Sequence, residues 1–135
     1  MSGLKALTVK NPWAALIVSG KKDIENRSWR TNYRGMILIH CSMQGAKLNQ
    51  KTLGDLANYG SYPRDKAEAH IPHWNKAGEV IGSVEIIDCV RNHESVWAEE
   101  DCWHWVLAKA RYFLVGLKAK GKLGIWNYDK TTTSI

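Results

Sequence analysis

The chain has 135 residues and a formal net charge of +6, from 19 lysines and arginines against 13 aspartates and glutamates. This length suits one domain with one hydrophobic core, and 44% hydrophobic with 24% charged residues excludes a disordered chain. The longest apolar runs are too short to span a bilayer, and the N-terminus lacks the apolar stretch of a signal peptide. Three cysteines without a CxxC pair argue against a disulfide framework. We therefore expect a soluble cytoplasmic protein of one domain, residues 1–135, with its core over 4–129 and a frayed tail over 130–135.

Basic charge and tryptophan are the two unusual features of the composition. The excess of cations favours an anionic partner, of which nucleic acid is the commonest, although a solvated basic surface is the simpler explanation. Seven tryptophans are many for this length. Most are expected in the core because the indole ring buries a large apolar area, whereas an exposed tryptophan offers a face on which a base can stack.

The first third of the chain predicts a short buried helix among extended segments. Asn11 and Pro12 indicate the start of the helix, because asparagine caps helices and proline suits the first helical position. The helix over residues 13–19 is apolar on nearly all sides, which favours burial, and Gly20 is suited to end it. The extended segments are predicted at residues 4–9, 21–29 and 36–41.

The remainder predicts a polar insertion followed by three strands. Residues 42–78 contain a helix over 46–58 and a long loop over 59–78. The later strands are predicted at residues 80–90, 105–113 and 123–128, with Gly82 permitting a close approach. Short strands without a βαβ rhythm favour an α+β fold built on a small mixed β-barrel over a doubly wound sheet.

The densest group of charged and aromatic residues lies between positions 10 and 34. Its members are Lys10, Lys21, Lys22, Glu25, Arg27, Trp29, Arg30 and Arg34. A regular strand would separate Lys22 from Glu25, but a turn or bulge after Gly20 would bring them together. In a cleft, such a pair can bind a phosphate or a base edge, or Glu25 can prepare a desolvated Lys22 as nucleophile or base. The alternative is an exposed ladder of charges that contributes little energy.

Residues 7–42, LTVKNPWAALIVSGKKDIENRSWRTNYRGMILIHCS, resemble the opening of the ASCH (activating signal cointegrator homology) domain of the PUA-like superfamily. The matching positions are Lys10, Pro12, Trp13, Gly20, Lys22, Glu25, Arg27, Trp29, Arg34, Gly35, His40 and Ser42. GEVIGSVEIIDCV and GKLGIWNYD resemble the family's later strands, and the resemblance extends over residues 4–129.

The resemblance implies a PUA-like β-barrel with a cleft beside the first helix, in a family mostly associated with RNA or other nucleic acids. Some members are ribonucleases, and a small bacterial relative deacylates N4-acetylcytidine with a lysine, a threonine and a glutamate. Lys22 occupies the position of that lysine, but Glu25 stands where the relative has threonine. Glu94, Glu99 and Glu100 are all candidates for the relative's glutamate. The departure at Glu25 favours binding over deacylation.

The residue types suggest a role for each position in the cleft. Lys22 follows a helix C-terminus, whose dipole favours the charged amine and hence anion binding. Arg27 and Arg34 can each hold a phosphate or a guanine edge with two hydrogen bonds. Glu25 can accept a hydrogen bond from an exocyclic amine. Glu85 lies in the middle of a strand, where it faces either solvent or the cleft, and an inward carboxylate would need Arg27 or a ligand as its partner.

Other candidates are weaker. Trp29, between polar neighbours, is the better candidate for an exposed stacking surface, whereas Trp13 lies in an apolar helix and is expected to pack in the core. The residues that invite a zinc hypothesis, without the spacing of a known finger, are His70, His73, Cys102 and His104. We predict neither metal nor cofactor. His40 is expected as a hydrogen-bonded core histidine, and residues 118–122 as a solvated basic edge.

We therefore predict a module that binds RNA, another single-stranded nucleic acid, or a modified nucleoside in a basic, aromatic-lined cleft. The predicted ligand-binding residues are Lys10, Trp13, Lys22, Glu25, Arg27, Trp29, Arg34 and Glu85. The alternative is a metal-independent hydrolase, either a ribonuclease or an N4-acylcytidine amidohydrolase, with Lys22 and Glu25 as catalytic residues. A third hypothesis is an accessory protein with a vestigial cleft.

Overall fold

Six strands and two helices form the part of the chain that the structure, a computed structural model, describes, namely residues 3–59 and 76–129. They are β1 (Leu4–Val9), α1 (Trp13–Val18), β2 (Ile24–Arg27), β3 (Gly35–Cys41), α2 (Gln50–Asn58), β4 (Glu79–Val90), β5 (Trp103–Lys118) and β6 (Ile125–Tyr128). Each corresponds to a predicted element; β1 has the predicted bounds, and the bounds of the others are shifted. Most of the predicted loop, the tail, His70 and His73 lie outside the described residues. Neither helix is long and apolar enough to cross a membrane.

The six strands form one sheet in the order β2-β5-β4-β3-β1-β6. Only β1 and β3 pair in parallel, because α1 and β2 carry the chain between them; the other neighbours are antiparallel. The α+β class is therefore confirmed. The hydrogen-bonding order leaves β2 and β6 as separate edges among the described strands, so the predicted closure into a barrel is not observed.

Helix α1 packs against β3, β4 and β5, and five of its six residues are buried. It begins at Trp13, with Pro12 in the cap position that we had assigned to Asn11. The Asn11 side chain still contributes, because its Oδ1 accepts a hydrogen bond from the Ala15 N–H at 3.1 Å. A Cβ on Gly82 would lie 2.7 Å from the Val18 Cβ, so the predicted close approach at Gly82 is confirmed.

Helix α2 begins at Gln50, four residues later than predicted. Asn49 and Thr52 form a reciprocal capping box that fixes this start, since each side chain satisfies the other's backbone N–H. The inner face of α2 buries Leu56 in a cluster with Leu16 and Trp97. This packing places α2 beside α1 and next to β2, where it forms one wall of the cleft described below.

Candidate functional site

A cleft of about 1060 Å³ opens between the start of α1, β2, α2 and the loop before β6. The predicted residues that line it are Lys10, Trp13, Lys22, Glu25, Arg27 and Trp29. They converge because β2 begins only at Ile24, after a turn in which Gly20 adopts a φ of +82°. This turn removes the strand alternation that would have separated Lys22 from Glu25.

The floor of the cleft is a charge cluster of the buried Lys22 and Glu25 and the half-buried Arg27. One oxygen of Glu25, Oε2, accepts a hydrogen bond from Nε of Arg27 at 2.9 Å and forms an ion pair with its Nη2 at 2.8 Å. The other oxygen, Oε1, lies 3.9 Å from the Lys22 Nζ. Lys22 and Glu25 are only 5% and 7% exposed, so the alternative of a solvated charge ladder is excluded for this pair. Buried charges need partners of this kind to offset their lost hydration.

Lys22 is enclosed by aromatic rings. Its Nζ donates a hydrogen bond to the Ile24 carbonyl and lies 5.7 Å from the Trp13 ring centroid and 5.9 Å from that of Trp97. Burial lowers the pKa of the Lys22 amine, against the opposite effect of Glu25. The sequence predicted that the helix dipole favours the charged amine, whereas the largest influence on its pKa in the structure, desolvation by burial, favours the neutral form.

Arg27 is committed to the protein rather than free for a ligand. Besides its bonds to Glu25, its Nη2 donates to the Thr8 carbonyl at 2.9 Å. Its guanidinium carbon also lies 5.8 Å from the Trp105 ring centroid. Of its three guanidinium nitrogens, only Nη1 has no hydrogen bond or ion pair with the described residues. Arg27 therefore orients Glu25, and it does not offer a phosphate the two parallel hydrogen bonds that an arginine can form.

Two tryptophans line the cleft in different ways: Trp29 lies at its exposed rim, and Trp13 forms part of its wall. Trp29 is 39% exposed, in agreement with the prediction, and its ring meets Trp105 edge-on with centroids 4.6 Å apart. The Trp105 Nε1 donates to the Trp29 carbonyl at 3.2 Å, which holds this exposed residue in place. Trp13 is half-buried and both packs against the core and lines the cleft.

Two of the predicted ligand-binding residues lie outside the cleft, namely Glu85, which was predicted to line it, and Arg34, which was predicted to contact phosphates beside it. Arg34 precedes β3 whereas Ser42, at the cleft, follows it, so the strand separates them by about 25 Å. Arg34 instead donates to the Thr31 and Tyr33 carbonyls, at 3.0 and 2.9 Å.

Glu85 faces away from the cleft because of its strand register. It lies opposite Met36, which is 45% exposed, and directly opposed residues share one face of a sheet. Its Oε1 lies 3.3 Å from the Lys109 Nζ, so its partner is this exposed lysine rather than Arg27.

Several cleft residues were not predicted. They are Thr8, Asn49, Lys51, Thr52, Asp55, Trp97, Lys122 and Leu123, among others. Trp97 was assigned to packing, and it is buried, but its Nε1 also donates to the Lys21 carbonyl and so closes the wall around Lys22. Of the three glutamates left open, Glu99 and Glu100 line the cleft. No local sequence pattern predicts these positions, because they lie on elements that are distant from Lys22 and Glu25 in the sequence.

The residues assigned to the core behave as expected. His40 is 2% exposed and its Nε2 bonds the Ala119 carbonyl at 2.7 Å. Burial raises the pKa of the Cys41 thiol to about 11, and Cys89 is buried as well. His104 bonds the Glu99 carbonyl rather than pairing with Cys102. Within residues 3–59 and 76–129, no group of three His, Cys, Asp or Glu is placed to hold a metal ion.

The chain resembles known proteins over most of its length. A family model described as the ASCH domain matches residues 7–116. Activating signal cointegrator 1 of Homo sapiens is 28% identical over 130 residues, and the Mus musculus protein of that name is 27% identical over 130 residues. Each match covers 91% of this chain but 22% of the relative, so the chain spans about a fifth of the curated relatives it matches.

Proposed function

Since the chain belongs to the ASCH domain family, which is generally linked to RNA binding, we propose that its cleft binds nucleic acid, with RNA or another single strand as the ligand. The cleft would take one base, with Glu25 at the polar edge of that base and Trp29 at its face. Exposed lysines at the rim would contact the phosphates.

The observation that carries the proposal is a carboxylate fixed by a half-buried arginine, in the same cleft as an exposed tryptophan that packs against Trp105. Both the hydrogen bond and the ion-pair contact of Arg27 fall on Oε2 of Glu25, so Oε1 keeps capacity to accept a hydrogen bond. A carboxylate held in this way can accept from the exocyclic amine of cytosine. The half-exposed Trp29 ring supports base stacking, which contributes about 1–3 kcal/mol per base.

Two cations at the rim support an anionic ligand. Lys10 and Lys122 line the cleft and are exposed, and neither has a carboxylate partner among the described residues. By contrast, Lys51 is already paired with Asp55 at 2.9 Å. An unpaired ammonium group can neutralise a phosphate and release its counterions, which makes affinity dependent on salt.

Fluorescence anisotropy with a labelled single-stranded RNA tests the proposal. We expect Trp29→Ala to weaken binding about tenfold or more through the lost stacking. Lys10→Gln should lower the slope of log affinity against log salt by about 0.7, the value for one phosphate contact on a single strand. Matched controls are Ile87→Ala, for an exposed apolar side chain outside the cleft, and Lys47→Gln, for an exposed lysine outside it.

Equal loss of affinity in the cleft variants and their controls would contradict the proposed site. Absence of RNA binding by the unsubstituted protein would contradict the proposed function itself.

A second candidate function, a metal-independent hydrolase, rests on one observation, the buried Lys22 with its lowered pKa. A neutral amine could take a proton from water while the water oxygen attacks an acyl carbon. The carbon–nitrogen bond of the acyl group would then break, and the Lys22 ammonium would return the proton to the leaving nitrogen. Glu25, bonded to Arg27, would keep the amine oriented.

Mass spectrometry of N4-acetylcytidine and of RNA, incubated with the protein and a chelator, separates this candidate from binding alone. We expect a hydrolase to release product without added metal and Lys22→Met to abolish turnover, whereas Lys21→Met, at the neighbouring exposed position, should not. Stoichiometric binding without product would exclude the hydrolase. Turnover that persists in Lys22→Met would exclude Lys22 as its base.

A further inference from the structure

A second cavity of about 740 Å³ adjoins the cleft. Four residues line both cavities, namely Thr8, Ser42, Lys122 and Leu123, so the two are compartments of one continuous groove. The size of the second compartment falls in the range of about 300–1,000 Å³ that is typical of small-molecule sites. A single nucleotide bound in the cleft would leave the second compartment empty.

The second compartment is lined by cationic and apolar side chains of the kind that bind a nucleotide. Lys118 and Lys120 line it in addition to Lys122, all three are exposed, and none has a carboxylate partner among the residues described. Two exposed apolar side chains also line this compartment, Met43 at 76% and Leu123 at 99% exposure. Cations bind phosphates, and the apolar side chains offer contact to the face of a base. An acidic peptide would use the cations but would leave these apolar contacts unmade.

The loop that carries the lysines, residues 118–124 (the basic loop), is anchored to buried groups. His40 Nε2 bonds the Ala119 carbonyl at 2.7 Å, which assigns its proton to Nε2 and leaves Nδ1 to accept from the Thr8 hydroxyl at 3.1 Å. Trp126 Nε1 in turn donates to the Thr8 Oγ1 at 3.1 Å.

Gly121 lies directly over this network. A Cβ at Gly121 would stand 2.7 Å from both the His40 Cε1 and the Thr8 Oγ1, so only glycine allows the loop to come this close. A loop that is already ordered loses little conformational freedom when a ligand binds, which favours its use as a binding element.

We infer that the groove holds two adjacent nucleotides of one strand, so that the second compartment is a further binding site on the same nucleic acid; this strand inference rests on the proposed function. One base occupies the cleft and an adjacent nucleotide occupies the second compartment. Lys122 lies where the two compartments meet, and Lys118 and Lys120 lie beyond it, so the phosphates between and after the two bases run along the basic loop.

Anisotropy with a five-nucleotide RNA, and calorimetry with a nucleoside monophosphate, test this inference. We expect the unsubstituted protein to bind the oligomer at least about tenfold more tightly than the monophosphate, because only the oligomer spans both compartments. Lys118→Gln/Lys120→Gln should weaken the oligomer about tenfold and lower its salt slope by about 1.4, the value for two phosphates. The monophosphate affinity should not change, because these two lysines line only the second compartment.

Two further variants separate the effect of net charge from the effect of an apolar contact. Lys5→Gln/Lys109→Gln removes the same net charge at positions outside the groove, and we expect it to leave oligomer affinity nearly unchanged. Met43→Ser removes an apolar contact without a charge, and we expect it to weaken the oligomer but not the monophosphate.

The outcomes are distinguishable. Equal affinity for oligomer and monophosphate, or an equal loss in the two double-lysine variants, would overturn the strand inference while the proposed function survives. Competition by polyglutamate as effective as by RNA would overturn nucleic acid as the occupant of the second compartment. If the protein binds neither the oligomer nor the monophosphate, the proposed function is wrong and the strand inference fails with it.

Discussion

The floor of the cleft and the basic loop hold positive charge in opposite ways. On the floor, Lys22 and Arg27 are held close to Glu25 and use their donors within the protein. On the loop, Lys118 and Lys120 are exposed and have no carboxylate partner in the described part of the chain. Buried, partnered charges fix geometry and are costly to disturb, whereas exposed, unpaired charges respond to ligands and to salt. The same residue type therefore serves stability in one region and recognition in the other.

The largest effect that this contrast predicts is on stability at the floor. Glu25→Gln should lower the free energy of unfolding by about 3–5 kcal/mol, because it leaves the buried Lys22 and the half-buried Arg27 without their counterion. Glu85→Gln is the matched control: its partner Lys109 is 78% exposed, and an exposed pair contributes about 0–1 kcal/mol. Urea denaturation followed by tryptophan fluorescence measures both. Similar losses in the two variants would show that burial does not distinguish these pairs.

The next effect concerns the contact that fixes the basic loop. Gly121→Ala should lower the free energy of unfolding by about 1–3 kcal/mol, since its methyl group would force His40 and Thr8 apart or lift the loop. Oligomer binding should weaken too, although no charge has changed. Gly45→Ala is the control, because a Cβ there meets only the Asn11 carbonyl at an ordinary 3.7 Å. Unaltered stability and binding in Gly121→Ala would mean that the loop does not depend on this contact.

The smallest effect is a difference in pH dependence. Burial holds the pKa of Lys22 below its usual value of 10.5, so between the folded and unfolded pKa values the unfolded chain binds more protons. Raising the pH through this window therefore increases the free energy of unfolding. Lys22→Met, which lacks the amine, should not show this increase. The Cys41 thiol, with its pKa raised to about 11, makes the folded protein less stable as the pH rises above about 9. This contribution is the same in the unsubstituted protein and in Lys22→Met, so it cancels in their difference.

Urea denaturation of both proteins from neutral pH to about pH 10 measures this difference. Parallel pH profiles would contradict a lowered pKa for Lys22.

The parts of the site that the sequence predicted correctly are those set by local geometry. Lys22, Glu25 and Arg27 lie within six residues of chain, so a glycine turn and a short strand suffice to bring them together. Trp29 follows in the same segment, and its polar neighbours indicated its exposure correctly. The type and order of the strands also followed from apolar patterns that extend over only a few residues.

The errors arose where a side chain's direction depends on a partner far away in sequence. Glu85 faces the exposed side of the sheet because β4 pairs with β3 in a register that places it opposite Met36. Arg34 is separated from the cleft by the length of β3. The sequence predicted a charged amine at Lys22, favoured by the helix dipole, and gave no sign that Trp97, from 75 residues further along the chain, covers it.

The sequence by itself determined the family resemblance, the α+β class and the cluster of Lys22, Glu25, Arg27 and Trp29, because turn residues and strand alternation act over a few positions. Only the tertiary structure decided what surrounds that cluster. Packing of α2 and Trp97 excludes water from Lys22 and so lowers its pKa. The anchored basic loop adds a second compartment to the cleft, since the His40 and Gly121 contacts that place it join residues about 80 positions apart.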